Sequence, residues 1–478
     1  VPRFLPMDKS RGFRAATFGD FFLHRWTRLL AILLVLAGWW GTAVPAPADP
    51  GQFTVAASVF DQAVSLSRGR ALDLSTQPLV LSNSPEFPNR PGILCKMDNV
   101  MSGRFRLLYS HKNLLFDPRN PRVDDPATIG VAVVNHTGRA VSLFWTRMAT
   151  MRTTDRNGTL AGPVDYAPAA GGSGPGPDFG GREGTTLVEK WFASGDGDEE
   201  HRLADLAPGG SYLYQENVGP GAWAMGLFDF VLRDQKTGQL VTPVSDGGIG
   251  VEVLITRYGT DFTSFYRLAD KSDVISPADD APGAPSPTPF HQRGIFAGAD
   301  RTMTIRYDPG PGVKPVAVQV AQQYFARDSG PDTAPGYEPD MFVNDVSANG
   351  LDDHVRAQDS GNYGIVYVFR LQLSGPAAVA VQPALYSGPL ASPDMYDQHL
   401  VFDLDGVVRT VSFRDPGYAG YYRSPRSLQP LGQGHVVFDL PYAVPGHTYV
   451  LRTTLPPNGY GPFVIMIMPA PGPGGRWL

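Results

Sequence analysis

Cysteine is nearly absent: Cys95 is the only one among 478 residues. A lone thiol excludes an internal disulfide and every cysteine-built zinc site, so stability has to come from core burial. Charge is also scarce. Asp, Glu, Lys and Arg make up 18% of the chain, the net charge is −6, and no basic patch marks a nucleic-acid partner. None of the nine histidines falls in a His-Glu-x-x-His or His-x-His arrangement. The Gly-x-Ser-x-Gly elbow, the phosphate loop and the Gly-x-Gly-x-x-Gly turn are missing too. A glycosidase survives these gaps, because it needs only two facing carboxylates. After residue 48 no apolar run is long enough for a membrane-spanning helix. Cys95 follows Gly92-Ile93-Leu94 and reads as a buried strand residue rather than a catalytic thiol.

What the chain does carry begins at its start. Lys9, Arg11, Arg14, Arg25 and Arg28 precede an apolar run from Leu29 to Val44. Ala46-Pro47-Ala48 and Asp49 follow. A basic start, a short apolar helix and small residues two apart predict a signal peptide over 1–48, cut after Ala48. An uncleaved anchor is the competing reading, with Trp39 and Trp40 at the bilayer interface. Val1 reads as an alternative start codon, and Met7 as the first residue translated. The expected location is extracellular or at the cell surface, with the membrane touched only through this segment.

Glycine (54) and proline (45) are spread as punctuation between β-branched and aromatic runs. That pattern predicts many short strands joined by turns. Strands are expected at 79–81, 104–109, 128–134, 140–146, 187–192, 212–214, 223–232 and 250–258. Residues 128–146, two β-rich runs around Asn135-His136-Thr137-Gly138-Arg139, predict a hairpin. A Gly/Pro-rich loop is expected over 161–184. Later strands are expected at 302–307, 316–320, 363–373, 377–381, 399–404, 407–413, 435–440, 447–453 and 463–468, with Asp405-Gly406 as a hairpin turn. No segment after residue 70 shows a helical period over three turns. The fold class is therefore mainly β. Two tandem β-sandwiches, Ig-like or jelly-roll-like, are expected at 49–275 and 291–468. A Pro-rich linker or loop at 276–290 separates them, and 469–478 forms a tail.

Candidate sites are few. Asp196, Asp198, Glu199 and Glu200 crowd four carboxylates around Gly197. Ca²⁺ takes six to eight oxygens, so this loop is a candidate calcium site, though without EF-hand spacing. No other cofactor is expected. Asn349-Gly350-Leu351-Asp352-Asp353-His354 is a second acidic candidate. Tyr418, Tyr421, Tyr422 and Arg423 lie in a Gly-flanked stretch near Arg414 and Arg426. Tyrosines beside arginines suit stacking on sugar rings or on a partner surface.

Several strings carry a resemblance. They are Pro91-Gly92-Ile93-Leu94, Arg106-Leu107-Leu108-Tyr109-Ser110-His111, Gly226-Leu227-Phe228-Asp229-Phe230, Arg293 to Thr302, and Gly361-Asn362-Tyr363-Gly364-Ile365-Val366-Tyr367. Scattered over 79–380, they resemble exported Gram-positive surface proteins labelled copper amine oxidase-like or S-layer associated. The resemblance implies an envelope location and a non-catalytic body. Oxidase chemistry is not supported, because Asn362-Tyr363 is followed by Gly364 and no paired histidines follow. The expected function is a non-enzymatic envelope protein that binds surface proteins or glycans. A secreted carbohydrate-active enzyme and a calcium-stabilised adhesion module are the alternatives.

Overall fold

The β-branched and aromatic runs form 26 strands among the described residues of the computed structural model. It describes residues 54–55, 59, 62–65, 72–100, 102–117, 120–153, 182–195, 197–242, 247–276, 292–321, 342–343, 357–359, 362–383, 398–413, 434–457 and 463–470. The early strands are β1 (Thr54–Val55), β2 (Val64–Ser65), β3 (Asp73–Leu74), β4 (Leu79–Ser82), β5 (Gly92–Met97), β6 (Arg104–Lys112), β7 (Phe116–Asp117), β8 (Asn120–Asp124), β9 (Ala127–Asn135) and β10 (Val141–Arg152). Helix α1 (Arg182–Ala193) precedes β11 (His201–Leu206), β12 (Ser211–Val218), β13 (Trp223–Asp234) and β14 (Ile249–Arg257). Helix α2 (Phe262–Leu268) comes before β15 (Arg293–Phe296), β16 (Asp300–Tyr307), β17 (Val316–Val320), β18 (Phe342–Val343), β19 (Ala357–Gln358) and β20 (Val366–Leu373). The chain closes with β21 (Ala377–Pro383), β22 (Gln398–Leu404), β23 (Val407–Phe413), β24 (Gly434–Leu440), β25 (Thr448–Thr454) and β26 (Phe463–Pro469).

The fold is mainly β, as the turn spacing predicts. A four-stranded sheet, β12-β9-β14-β5, faces a six-stranded sheet, β11-β10-β13-β6-β4-β15. Their shared core joins Ile129, Val131, Val133, Val251 and Val253 of one to Phe105, Leu107, Leu143, Phe228 and Phe230 of the other. Strand β9 is buried on both faces. Its other side, Ala132 and Val134, meets Phe262 of α2. Asp261 caps that helix by accepting from the Thr263 and Ser264 amides. The later half builds two more six-stranded sheets, β1-β24-β21-β26-β17-β2 and β23-β22-β25-β20-β16-β3. Phe402 of the second meets Phe463 of the first edge-on at 6.3 Å.

Three expectations need correction. The 128–146 hairpin is not one: β9 pairs with β12 and β14, while β10 pairs with β11 and β13. The chain arches from one sheet to the other, so the apolar residues of β9 and β10 stack face to face in the core. Asn135 holds this arch. Its Nδ2 donates to the carbonyls of Arg139, Leu206 and Ala207, and its Oδ1 accepts from the Thr137 amide and hydroxyl.

The expected strand at 187–192 is helix α1, and it runs three turns. Leu187, Val188, Trp191 and Phe192 are buried, and their one-and-four spacing makes a single helical stripe. Their β-propensity conceals that stripe. Glu183 in the first turn and Lys190 in the last suit the helix dipole.

The third correction concerns the two halves. Strands β1, β2 and β3, expected in the first sandwich, pair with β24, β17 and β16 of the second. Strand β15, just past the expected linker, adds to β4 of the first. The halves interlock, and Pro47–Leu478 clusters as one compact unit. The expected signal segment, most of the 161–184 loop, nearly all of the 276–290 linker and most of the 469–478 tail lie outside the described residues.

Candidate functional site

Helix α1 packs against β10 and β13 of the first sandwich and against β22 and β23 of the second. Its Thr185 donates to the His399 carbonyl, and its Glu189 accepts from Thr410. Beneath it lies a polar row. Arg147, Asp229 and Arg106 are cross-strand neighbours on β10, β13 and β6. Both guanidinium groups lie over the Trp191 ring, Arg106 at 4.7 Å and Arg147 at 4.8 Å from its centroid.

Arg106 is buried, yet all five of its N–H groups find acceptors. Nε and Nη2 take the Asp229 carboxylate, Nη2 also takes Asp300, and Nη1 donates to the Ala299 and Gly364 carbonyls. Burial works against the guanidinium charge, but Asp229 and Asp300 outweigh it, so its pKa sits above the ordinary value. For Arg147 burial wins and the pKa falls, with Arg452 and Asp403 of the second sandwich close enough to act on it.

A second cluster mimics a catalytic pair. Ser82 Oγ and His111 Nε2 are 2.9 Å apart, and His111 Nδ1 lies 2.8 Å from the Pro85 carbonyl. A carbonyl only accepts, so Nδ1 carries the proton and Nε2 accepts from the serine. Both side chains are buried, and burial lowers the imidazole pKa to about 4. The histidine is neutral, oriented by a carbonyl rather than a carboxylate, and sealed from solvent. Cys95 lies alongside, its Sγ 3.8 Å from the Leu81 carbonyl, with burial pushing its pKa to about 12. No spacing rule in the sequence joins Ser82 to His111; the parallel pairing of β4 with β6 does.

A third cluster is a part-buried acid. Tyr109 donates to Glu216 Oε1 at 2.6 Å. Burial raises the Glu216 pKa to about 7, against the pull of Tyr109, Arg152 and Tyr214.

An open groove of about 530 Å³ lies where the ends of β16 and β20 meet the turn before β25. Arg306, Tyr307, Asp308, Gln372, Ser374 and His447 line it. Arg306 Nε donates to Gln372 Oε1 at 3.0 Å, and Ser374 donates to Asp308. His447 Nε2 lies 3.1 Å from Asp405 Oδ2. Tyr307 is buried, and its hydroxyl has no hydrogen-bond partner among the described residues.

Of the sequence candidates, Asp196 lies outside the described residues, and Asp198 and Glu199 are exposed. Glu200 takes a two-pronged ion pair from Arg233, at 2.7 Å on each side, and a longer one from Arg104. Arg233 holds its carboxyl below the usual range. Among the described residues no group of three or more His, Cys, Asp or Glu stands where it could hold a metal ion. The 349–354 cluster and Tyr418, Tyr421, Tyr422 and Arg423 lie outside the described residues. Asp405 and Gly406 form the expected turn between β22 and β23, both with positive φ.

No protein-family model matches the chain. No curated protein matches it either. Among solved structures, a cryo-EM atomic structure of broad bean stain virus aligns at 9% identity over 87% of this chain and 96% of that one. The TM-score is 0.14, too low to carry any argument.

Proposed function

We propose that this chain is an exported, non-enzymatic envelope protein whose interlocked sandwiches form a rigid body for binding surface proteins or glycans. Support for export lies in the basic start, the apolar run to Val44 and Ala46-Pro47-Ala48. Support for a binding role lies in how the described polar groups are used. Ser82–His111, Tyr109–Glu216 and Arg106–Asp229 are each spent inside the fold. The groove beside β16, by contrast, opens to solvent with hydrogen-bonding side chains along it. That contrast is the observation that carries the reading, because binding needs open polar groups.

The test is a glycan array together with a pull-down from envelope extract, both using the chain that starts at Asp49. Capture of a glycan or a surface protein supports the reading. Silence in both overturns it. So does turnover of a polysaccharide that is abolished by removing a pair of carboxylates.

A further inference from the structure

The second sandwich presents one polar face in which cross-strand register lines up its side chains. Arg306 pairs with Gln372, and Gln372 with Thr448, making one row across β16, β20 and β25. Thr304, Arg370 and Val450 make the next row on the same face. Thr304, Arg306, Arg370 and Gln372 are exposed. The groove lies at the end of this platform, and its volume falls in the range of roughly 300–1,000 Å³ typical of ligand sites.

The charges there are unevenly matched. Asp308 is engaged by Ser374, and Asp405 by His447 and the Val450 amide. Arg306 is held by its Nε edge on Gln372, and among the described residues no carboxylate lies within ion-pair range of it. Arg370 stands diagonally beside it, likewise without an ion pair among the described residues. An oriented guanidinium with a free edge matches the fork of a carboxylate.

We propose that this groove binds a carboxylate-bearing sugar of an acidic polysaccharide, with Arg306 taking the carboxylate and Gln372 and Ser374 taking ring hydroxyls. The proposal rests on the binding role argued above and names its ligand class. Arg370 serves the next acidic sugar along the chain. A neutral glycan leaves both arginines unmatched. An acidic peptide satisfies the arginines but has no ring hydroxyls for Gln372 and Ser374.

The test is calorimetric titration of the chain that starts at Asp49 with a galacturonate tetrasaccharide, a neutral galactose tetrasaccharide and poly-glutamate. The galacturonate probe is expected to bind, more weakly as salt rises, and the other two at least about tenfold more weakly. Arg306→Gln is expected to cost about tenfold in affinity for galacturonate and Arg370→Gln less. Equal binding of the neutral probe, equal binding of poly-glutamate, or an unchanged Arg306→Gln variant overturns the proposal. If galacturonate fails while the array captures another glycan, this site falls and the binding role stands. If the array and pull-down are silent as well, both fall.

Discussion

Arg106 and Asp229 face each other on neighbouring strands and share two hydrogen bonds, Nε to Oδ1 at 2.7 Å and Nη2 to Oδ2 at 3.0 Å. The guanidinium then reaches past its own sheet to Ala299, Asp300 and Gly364, which lead into β16 and β20 of the second sandwich. One side chain therefore ties the two halves together where Trp191 covers them. Arg106→Met leaves the Asp229 carboxylate without its guanidinium partner, with only the Gln77 amide still donating to it among the described residues, and takes a donor from the Gly364 carbonyl. The expected loss is about 3–5 kcal/mol. Adding Asp229→Leu removes the stranded charge, so the double variant should be more stable than Arg106→Met alone. Urea denaturation of the single and double variants checks this; equal stability of the two would sink the argument.

Two groups with shifted pKa values, buried His111 and part-buried Glu216, give stability opposite slopes with pH. The Glu216 carboxyl, normally near 4.5, is raised to about 7. Between those values the folded chain keeps a proton that the unfolded chain has lost. Its contribution is therefore complete below about pH 4.5 and gone above about 7. His111 does the reverse. Its pKa falls from 6.5 to about 4, so its contribution is complete above 6.5 and lost as pH falls through 4. In the wild-type chain the two slopes offset each other. Glu216→Gln should expose the histidine slope, with stability rising from pH 4 to 6.5 by about 1–3 kcal/mol. His111→Gln should expose the opposite slope from 4.5 to 7. Parallel pH profiles for the two variants would contradict both assignments.

Cys95 should be chemically silent in the folded chain. The thiolate is the reactive form, and burial pushes the Cys95 pKa to about 12. Dithionitrobenzoate is expected to label no thiol in native buffer and one in urea. The labelling rate under native conditions then reports opening of the first sandwich, because Cys95 sits in its core. Prompt labelling of the native chain would refute the burial.

Much of this fold was legible in the sequence, and the misses have definite physical causes. Strands β13, β14, β16, β20 and β23 follow directly from β-branched runs bounded by Gly and Asp. The Asp405-Gly406 turn was readable because both positions need positive φ, which Asp tolerates and Gly favours. Helix α1 was missed because Val188, Trp191 and Phe192 are β-formers by type and helical only by spacing. The membership of β1, β2 and β3 in the later sheets was not readable, since pairing at long sequence separation leaves no local trace. The same holds for the candidate groove. Arg306, Gln372 and Thr448 come together through strand register alone.

The arch at Asn135 is a case where the local pattern pointed to the wrong partner, and it makes the sharpest stability test. Asn135 is fully buried, and its backbone exchanges hydrogen bonds with Gly209 and Gly210. Its amide nitrogen serves three carbonyls, and its oxygen serves Thr137 twice. Asn135→Ala removes all five side-chain contacts and leaves the buried Thr137 amide without its acceptor, an expected loss of about 2–3 kcal/mol. Asn135→Asp keeps the shape and the oxygen that serves Thr137, but sets a second carboxylate oxygen against the carbonyls of Arg139, Leu206 and Ala207. A hairpin turn would tolerate Asp here as readily as Asn, since both suit turns. The arch predicts the reverse order, with Asp more destabilising than Ala at neutral pH. Acidification should then recover part of the Asp variant's loss, because a protonated carboxyl can donate to one of those carbonyls. Denaturation midpoints of the two variants at pH 7 and pH 5 decide the matter.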